Sequence, residues 1–430
     1  MIALFAMATA QGHLNATFRL ARQLQADGYR VIYAYFGPPE LAQRIVQQSF
    51  AVHWLESYPF GVGTDEVLNQ GRSESYLETL FDRITGRDLK TRTADWQRTL
   101  HQLRPDLILL DAFLSTDFIV LYPLLKAYPA NVVLIQTMLS TYDDGHTPPL
   151  NSSLIPGRDS PQAIRRAWQR EYRNRFFRQL WETVKYAGYS SHRQIRRAFR
   201  RNELPDTYRL RYDKVFHAGI DNLPEWIMPP QDFDFAERRL LTFQTFKNTM
   251  PDLSRAETLP PAYTMALERI GQERQTNADL KLVYASLGTV MLAHRSENEL
   301  AAFYRKLLQA VGQQPNWRLI LAIGDGADVA RFDCPANAFV FTSVPQLHVL
   351  QHCDLFITHG GLNSVLEATA LNVPMLVYLL SHLWDQPGYG ARVVAQGRGT
   401  MYELADASTA SIGDVVERIL EEHSAINRLA

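Results

Sequence analysis

The chain has 430 residues, of which 46% are hydrophobic and 21% are charged, and its formal net charge is −1. This length exceeds one typical domain, and the near-neutral charge excludes a polyelectrolyte surface that binds nucleic acid nonspecifically. Two cysteines, Cys334 and Cys353, exclude a disulfide framework and a cage of thiolate metal ligands, so we expect a reducing, cytoplasmic location.

Short runs rich in Val, Ile and Leu alternate with helical patterns through both halves of the sequence. In the first half we predict strands in IALFAMAT, VIYAYF, DLILLDAF and NVVLIQTM, with helices such as 14–27 between them. In the second half we predict strands in KLVYASLG, WRLILAIG, AFVFTS, DLFITHG and PMLVYLL, again with helical patterns between them. The alternation predicts an α/β protein of two Rossmann-like, doubly wound lobes that face each other across a cleft.

The longest apolar run extends from Leu107 to Leu125 and approaches the length of a membrane span. It carries Asp111 and Asp117 near its middle, so we interpret it as a strand followed by a helix. Between the two halves lies a proline-rich stretch with little periodicity, which is typical of a connection between domains. We predict an N-terminal acceptor-binding lobe, a linker and a C-terminal donor-binding lobe over 1–240, 241–262 and 263–430.

Segment 158–214 breaks the pattern because it holds 16 Lys and Arg residues against 6 Asp and Glu residues. One interpretation is a solvated helical segment that packs on its own lobe. The other is a basic amphipathic surface that contacts a membrane or an apolar substrate. Five apolar residues recur there at helical spacing among the arginines: Phe176, Phe177, Leu180, Trp181 and Val184.

The stretch FITHGGLNSVLEATALNVPM predicts a buried strand that passes through Gly360 and Gly361 directly into a helix. The bare first turn of that helix offers backbone amides and the helix dipole to an anion. Tight packing is the alternative explanation of a glycine pair. The sequence has no GKS or GKT and no GxGxxG after a strand, which excludes the common nucleotide-binding loops.

The run VPQLHVLQHCDLFITHGGLNSVLEATALNVPMLVYLLSHLWDQPG closely resembles the donor-binding signature of the UDP-sugar-dependent glycosyltransferases of GT-B fold. The segment KLVYASLGT resembles the first C-terminal strand of that family, which includes macrolide glycosyltransferases. WDQPGYGARV resembles the corresponding loop of bacterial zeaxanthin glucosyltransferases. The resemblance implies a GT-B fold and the transfer of a hexose, glucose in the first instance, from a UDP-sugar.

The resemblance also implies donor-binding residues. Gln346 and the backbone of Val344 would lie by the uracil and ribose, and Glu367 would accept hydrogen bonds from the ribose hydroxyls. Ser343 stands where the family usually has an aromatic residue that stacks on uracil. Asp385 and Gln386 would contact the transferred sugar, because one accepts hydrogen bonds while the other both accepts and donates. The implied diphosphate contacts are Thr289, His359, Gly361, Asn363 and Ser364.

On the acceptor side, AQGHLNATFRLARQL resembles the family's GHxxP region, with Ala16 in place of the proline, and implies that His13 is the general base. An imidazole, with a pKa of about 6.5, can take the proton of an acceptor hydroxyl as the new bond forms. Asp111 matches the position of the carboxylate partner that fixes the imidazole tautomer. A helix cap is the alternative role for this aspartate.

We therefore predict an inverting glycosyltransferase that moves a hexose from a UDP-sugar to a hydroxyl of an apolar small molecule, such as a carotenoid, polyketide, phenolic or sterol. The donor is a co-substrate, and we expect no cofactor, no metal ion and no nucleic-acid partner. A UDP-sugar epimerase and a noncatalytic protein that binds sugar nucleotides or lipids are the alternatives. Contact with the inner face of the membrane through 158–214 remains an open interpretation.

Overall fold

The chain divides into two compact units. The first consists of Met1–Pro149 with Pro156–Asp252, and the second of Leu150–Ile155 with Leu253–Ala430. The computed structural model describes four stretches, residues 1–61, 75–288, 296–324 and 327–429, with the backbone alone for 424–429.

A parallel sheet forms the centre of the first unit. The strands are, in chain order, β1 (Ile2–Ala6), β2 (Arg30–Tyr35), β3 (Ala51–Trp54), β4 (Leu107–Asp111), β5 (Asn131–Gln136), β6 (Leu210–Arg211), β7 (Gly219–Ile220), β8 (Glu225–Ile227) and β9 (Gln244–Phe246). Seven of them pair in the order β3-β2-β1-β4-β5-β8-β9, and every pairing is parallel. Strands β6 and β7 form a separate antiparallel ribbon.

Helices pack against this sheet and bury its apolar strands. They are α1 (Gln11–Asn15), α2 (Phe18–Ala26), α3 (Pro39–Gln47), α4 (Tyr76–Thr85), α5 (Arg87–Leu103), α6 (Asp117–Leu124), α7 (Pro161–Lys185) and α8 (Ser191–Arg201). All five residues of β4 are buried, as expected for a central strand of a parallel sheet. Strand β1 lies between β2 and β4, so its carboxyl end opens near the middle of the sheet.

The second unit repeats this architecture with a six-stranded parallel sheet. Its strands are β10 (Lys281–Ser286), β11 (Trp317–Ala322), β12 (Ala338–Phe341), β13 (Leu355–Thr358), β14 (Met375–Leu379) and β15 (Gly399–Glu403). They pair in the order β12-β11-β10-β13-β14-β15, again with parallel pairings only.

The helices of the second unit are α9 (Pro261–Thr276), α10 (Glu297–Gly312), α11 (Gln346–Leu350), α12 (Leu362–Ala370), α13 (Gln386–Ala395) and α14 (Thr409–Leu429). Helix α10 begins where it does because Ser296 and Glu299 form a reciprocal capping box at its first turn. Its residues Leu300, Phe303 and Leu307 recur at helical spacing and are buried in the core beside the sheet.

The predicted α/β class, with a doubly wound parallel sheet in each unit, is confirmed, and each of the nine quoted segments contains all or nearly all of an observed strand. The predicted helix 14–27 is instead two helices, α1 and α2, separated at Ala16 and Thr17. The structure also places the beginning of the predicted linker 241–262 inside the first sheet, because β9 pairs with β8. None of the helices in the described part of the chain is both long and apolar enough to span a bilayer.

The apolar run Leu107–Leu125 divides into β4 and α6, and its second aspartate is buried in an ion pair. The Arg92 side chain and Asp117 are both inaccessible to solvent, and the Arg92 Nε donates to the Asp117 Oδ2 at 3.0 Å. The indole Nε1 of Trp96 donates to the same oxygen at 3.2 Å. Asp117 therefore fixes α5 against α6.

We expect Asp117→Ala to lower the free energy of unfolding by about 3–5 kcal/mol, because it leaves the Arg92 charge buried and uncompensated. The double variant Arg92→Met/Asp117→Ala removes both charges and should lose less stability than the single variant. Urea unfolding of the three proteins measures both differences. A double variant that is less stable than Asp117→Ala would contradict this account.

Candidate functional site

The first candidate site lies at the carboxyl ends of three neighbouring strands. Strand β1 leads into α1, which carries His13, while β4 ends at Asp111 and β5 is followed by Thr137. Because β1 pairs with β4 and β4 pairs with β5, all in parallel, these three ends meet at one edge of the sheet. The structure therefore brings together the two residues predicted for acid–base chemistry.

The His13 Nδ1 lies 2.6 Å from the Asp111 Oδ2. Asp111 is fully buried, whereas the His13 side chain keeps 16% of its exposure. The same carboxylate accepts from the amide of Ala8 at 3.2 Å and, through its Oδ1, from the amide of Phe113 at 2.9 Å. Asp111 therefore both caps the turn after β4 and contacts the imidazole, so the two roles considered from the sequence are compatible.

This geometry fixes the imidazole tautomer. An ionised carboxylate can only accept, so the proton of a neutral His13 ring lies on Nδ1, and Nε2 carries the lone pair. The hydroxyl oxygen of Thr137 lies 3.0 Å from the same Nδ1 and is a second, weaker acceptor for that proton. A ring held in this way can act as a base through Nε2.

The Phe113 ring contacts His13, and the ring of His217 contacts Phe113 in turn. The Phe113 ring meets the His13 ring edge-on at 5.0 Å and lies 4.7 Å from the ring of His217. The His217 Nδ1 lies 3.1 Å from the carbonyl of Ala218, which can only accept, so the His217 Nε2 is an acceptor. That Nε2 is buried and has no hydrogen-bond partner among the described residues. Burial, and then the charge of Lys214, hold the pKa of His217 well below its ordinary value.

The second candidate site lies in the second unit, where β13 turns into α12. Gly360 takes the left-handed conformation at φ +85°, and Gly361 then precedes the helix without a side-chain cap. Gly361, at the N-cap, therefore supplies no capping side chain to the first turn of α12, which is compatible with an anion site. Asn363 and Ser364 lie in this first turn and are half-buried.

The imidazole of His359 lies between two glycines. A Cβ atom at Gly361 would lie 2.6 Å from the His359 Nε2, and a Cβ at Gly288 would lie 2.4 Å from its Cε1. Gly288 is also left-handed, at φ +84°. The ring can take this position only because neither glycine carries a side chain.

A hydrogen-bond network connects the predicted nucleoside contacts. The Gln346 Nε2 donates to the Glu367 Oε2 at 2.7 Å and to the hydroxyl of Ser364 at 3.1 Å. The phenol of Tyr284 reaches the Gln346 Oε1 at 3.4 Å. Glu367 is 2% exposed, so these neighbours set the direction of a buried carboxylate. The structure thus brings Gln346, Ser364 and Glu367 into one cluster.

Arg255 completes this cluster and was not predicted from the sequence. Its guanidinium donates to the Glu367 Oε1 at 2.8 Å and to the Glu257 Oε1 at 3.1 Å. Glu257 in turn accepts from the amides of Leu347 and His348 at the start of α11. Burial lowers the pKa of Arg255, but the two carboxylates outweigh it and hold that pKa above its ordinary value.

The remaining predicted donor residues are placed as follows. Gln386 is buried, and its Oε1 accepts from the amides of Leu380 and Ser381, so it shapes the loop after β14. Asp385 occupies the N-cap position of α13. Ser343 is exposed and Val344 is half-buried, whereas Thr289 lies outside the described residues. No group of three His, Cys, Asp or Glu side chains in the described stretches is arranged to hold a metal ion.

Comparison with known proteins shows what the chain is similar to. Residues 305–428 match the family model described as "Erythromycin biosynthesis protein CIII-like, C-terminal domain". Over 422 residues the chain is 26% identical to oleandomycin glycosyltransferase of Streptomyces antibioticus, covering 94% of this chain and 79% of that protein. The glycotransferase of kitacinnamycin has a TM-score of 0.65 at 20% identity, over 99% of this chain and 93% of that chain. The chain is thus similar to nucleotide-sugar glycosyltransferases, and its fold is that of the GT-B glycosyltransferases.

Two further relatives, both glycosyltransferases by name, align with shorter parts of the chain. NDP-glycosyltransferase YjiC of Bacillus subtilis (strain 168) is 31% identical over 152 residues, and zeaxanthin glucosyltransferase of Pseudescherichia vulneris is 33% identical over 155 residues. Those alignments cover 35% and 34% of this chain and 36% and 34% of the respective relatives. The resemblance predicted from the sequence is therefore confirmed, while the roles of individual residues remain predictions.

We expect Gly361→Ala to weaken the binding of UDP about tenfold or more, a loss of about 1.4 kcal/mol. Alanine suits the backbone at φ −66°, so the expected loss comes from the collision with the His359 ring. Isothermal titration calorimetry measures the dissociation constant. The matched control is Gly271→Ala in α9, where an added Cβ has nothing within 4 Å. Equal affinities for the two variants would show that the His359 position is unimportant.

We expect Arg255→Ala to raise the dissociation constant of UDP by roughly 10- to 100-fold. This range corresponds to the free energy that one hydrogen bond to a charged group contributes. The change leaves Glu367 buried without its cation, so the carboxylate loses its fixed direction. Arg269→Ala removes the same charge from an exposed pair with Glu273 in the same unit, and should change affinity little. Unchanged binding by Arg255→Ala would mean that Glu367 is oriented without it.

Proposed function

We propose that this glycosyltransferase moves a hexose from a UDP-sugar to a hydroxyl of an apolar small molecule, with inversion at the anomeric carbon. The observation that carries the proposal is the 2.6 Å contact between the His13 Nδ1 and the buried Asp111. A base held by a carboxylate is the group that a weakly nucleophilic hydroxyl needs near neutral pH.

The proposed reaction is a single displacement. The acceptor oxygen forms a bond to the anomeric carbon while its proton passes to the Nε2 of His13. The bond between that carbon and the diphosphate oxygen breaks, and UDP leaves with the electron pair. The resulting imidazolium is stabilised by Asp111, as in other histidine–aspartate pairs. Attack from the side opposite the leaving group inverts the configuration.

We propose that the donor binds at the start of α12. A helix start with glycine at its N-cap, together with the helix dipole, suits a leaving diphosphate, and for this reason we expect no metal requirement. The network of Gln346, Glu367 and Arg255 supports a ribose contact. Glucose is the proposed hexose and uridine the proposed nucleoside. A structural neighbour, spinosyn rhamnosyltransferase SpnG, has been solved with thymidine diphosphate (TM-score 0.58, 17% identity, over 98% of this chain and 92% of that chain), so the nucleoside is part of the test.

We propose an apolar, hydroxylated acceptor: a carotenoid, a polyketide, a phenolic or a sterol. The ring of Phe113, which contacts His13 and stacks on Phe216, supports an apolar partner for the base. The names of the relatives, which include a zeaxanthin glucosyltransferase and an oleandomycin glycosyltransferase, guide the choice of compounds. A cytoplasmic location, with the segment 158–214 against the membrane, is also proposed.

The test is a screen of the purified protein with UDP-glucose and TDP-glucose against these four acceptor classes, read by product mass and by the anomeric configuration in NMR. We expect a product with UDP-glucose whose configuration is opposite to that of the donor. His13→Ala should reduce the rate roughly 10²- to 10⁴-fold while leaving UDP affinity unchanged. His101→Ala removes an exposed histidine of α5 and should have no effect.

The alternatives predict different results. An epimerase would convert UDP-glucose into an isomer without any acceptor. A binding protein would bind UDP but yield no product with any compound. Retention of configuration would reject the single displacement, and full activity of His13→Ala would reject His13 as the base.

A further inference from the structure

The two halves of helix α7 turn different kinds of side chain toward the protein. In its first half, Ile164, Ala167 and Trp168 face inward and are buried. In its second half the buried residue on this same side is Glu182, which accepts from the Arg83 guanidinium at 2.8 Å and from the Ser191 hydroxyl at 2.6 Å. The polar side of the second half therefore faces the protein.

The apolar side of the second half faces solvent. Its five large residues are between 50% and 74% exposed: Phe176, Phe177, Leu180, Trp181 and Val184. They recur at helical spacing, on the side of α7 opposite Glu182. The five residues therefore face away from their own lobe, whereas the opposite side of α7 packs on it.

Helix α4 lies beside this part of α7 and is also apolar on its outside. The phenol of Tyr76 donates to the carbonyl of Lys185 at 2.6 Å, and its ring stacks on Tyr186. Three further residues of α4 are between 53% and 71% exposed: Leu77, Phe81 and Ile84. Two adjoining helices thus display eight large apolar side chains, far more than the scattered apolar residues of an ordinary surface. We call these eight residues the α4–α7 face.

Positive charge lies on α7 beside these apolar residues and on the helix that follows it. Arg173, Arg178 and Lys185 are exposed on α7, and the Lys185 ammonium lies 4.9 Å from the Trp181 ring. Helix α8 follows with five exposed arginines and no acidic residue: Arg193, Arg196, Arg197, Arg200 and Arg201. Exposed aromatic side chains bordered by arginine and lysine are the pattern of surfaces that lie in the headgroup region of a bilayer.

We propose that the α4–α7 face docks this protein onto the surface of a membrane that contains anionic lipid. Phe176, Phe177 and Trp181 would enter the boundary between headgroups and acyl chains, while the basic residues contact lipid phosphates. A second copy of the chain fits less well, because a two-fold contact would place the positive charges of the two copies against each other. Such docking would hold the enzyme where apolar acceptors dissolve.

Co-sedimentation of the full chain with lipid vesicles tests the proposal. Vesicles of phosphatidylcholine with about 30% phosphatidylglycerol should bind the protein at least about tenfold more tightly than pure phosphatidylcholine, and about 0.5 M NaCl should weaken that binding. The variant Phe177→Ser/Trp181→Ser should lose binding roughly tenfold or more. Val46→Ser, which changes an apolar residue of α3 that is 60% exposed, should bind as the wild type does.

A second variant, Arg173→Gln/Arg178→Gln, leaves the apolar residues in place and should weaken binding to anionic vesicles alone. Thermal unfolding and UDP affinity show whether each variant folds. Failure of the wild type to bind anionic vesicles would overturn the proposal, as would equal binding by the wild type and both variants. A concentration-dependent dimer that Phe177→Ser/Trp181→Ser abolishes, without vesicle binding, would assign the face to a second copy instead.

Discussion

The carboxylate of Asp111 accepts hydrogen bonds from three parts of the first unit at once. It ties the amide of Ala8 after β1, the imidazole of His13 and the amide of Phe113 after β4. Three donors hold this fully buried carboxylate in one orientation, since leaving it unpaired there would be costly. The tautomer of His13, the turn after β4 and the position of the Phe113 ring all depend on this one group.

Glu367 has a comparable position in the second unit. It is nearly inaccessible to solvent and is held by Gln346 from α11 and by Arg255 from the segment before α9. Both candidate sites therefore consist of a buried acid fixed by neighbours that come from distant parts of the sequence. The energetic reason is the same, because a buried charge persists only when donors satisfy it.

The sequence predicted the strands well because parallel strands that are buried on both faces are nearly continuous apolar runs. Ligands of parallel sheets bind at the carboxyl ends of the strands. Polar residues that follow those apolar runs, such as His13, Asp111 and His359, could therefore be chosen as candidates. Thr137 also follows a strand and could have been found in this way. The family resemblance then assigned roles that periodicity alone does not provide.

Two features of the structure could not be predicted from the local sequence pattern. Arg255 lies in an aperiodic stretch, and its partner Glu367 is 112 residues away. The spacing of Phe176 to Val184 predicted an amphipathic helix but could not reveal which side faces the protein. Helical periodicity shows only that the five apolar residues share one side of the helix. The contacts of Glu182 determine that the opposite side faces the protein.

The two glycines beside His359 have a consequence for engineering. Gly288 and Gly361 leave room for the imidazole only because both lack a side chain, so neither position can be diversified without displacing the ring. A library that seeks altered donor preference should therefore leave these glycines unchanged and vary Ser343, which is exposed. Tolerance to substitution at these two positions is thus set by the space around one imidazole.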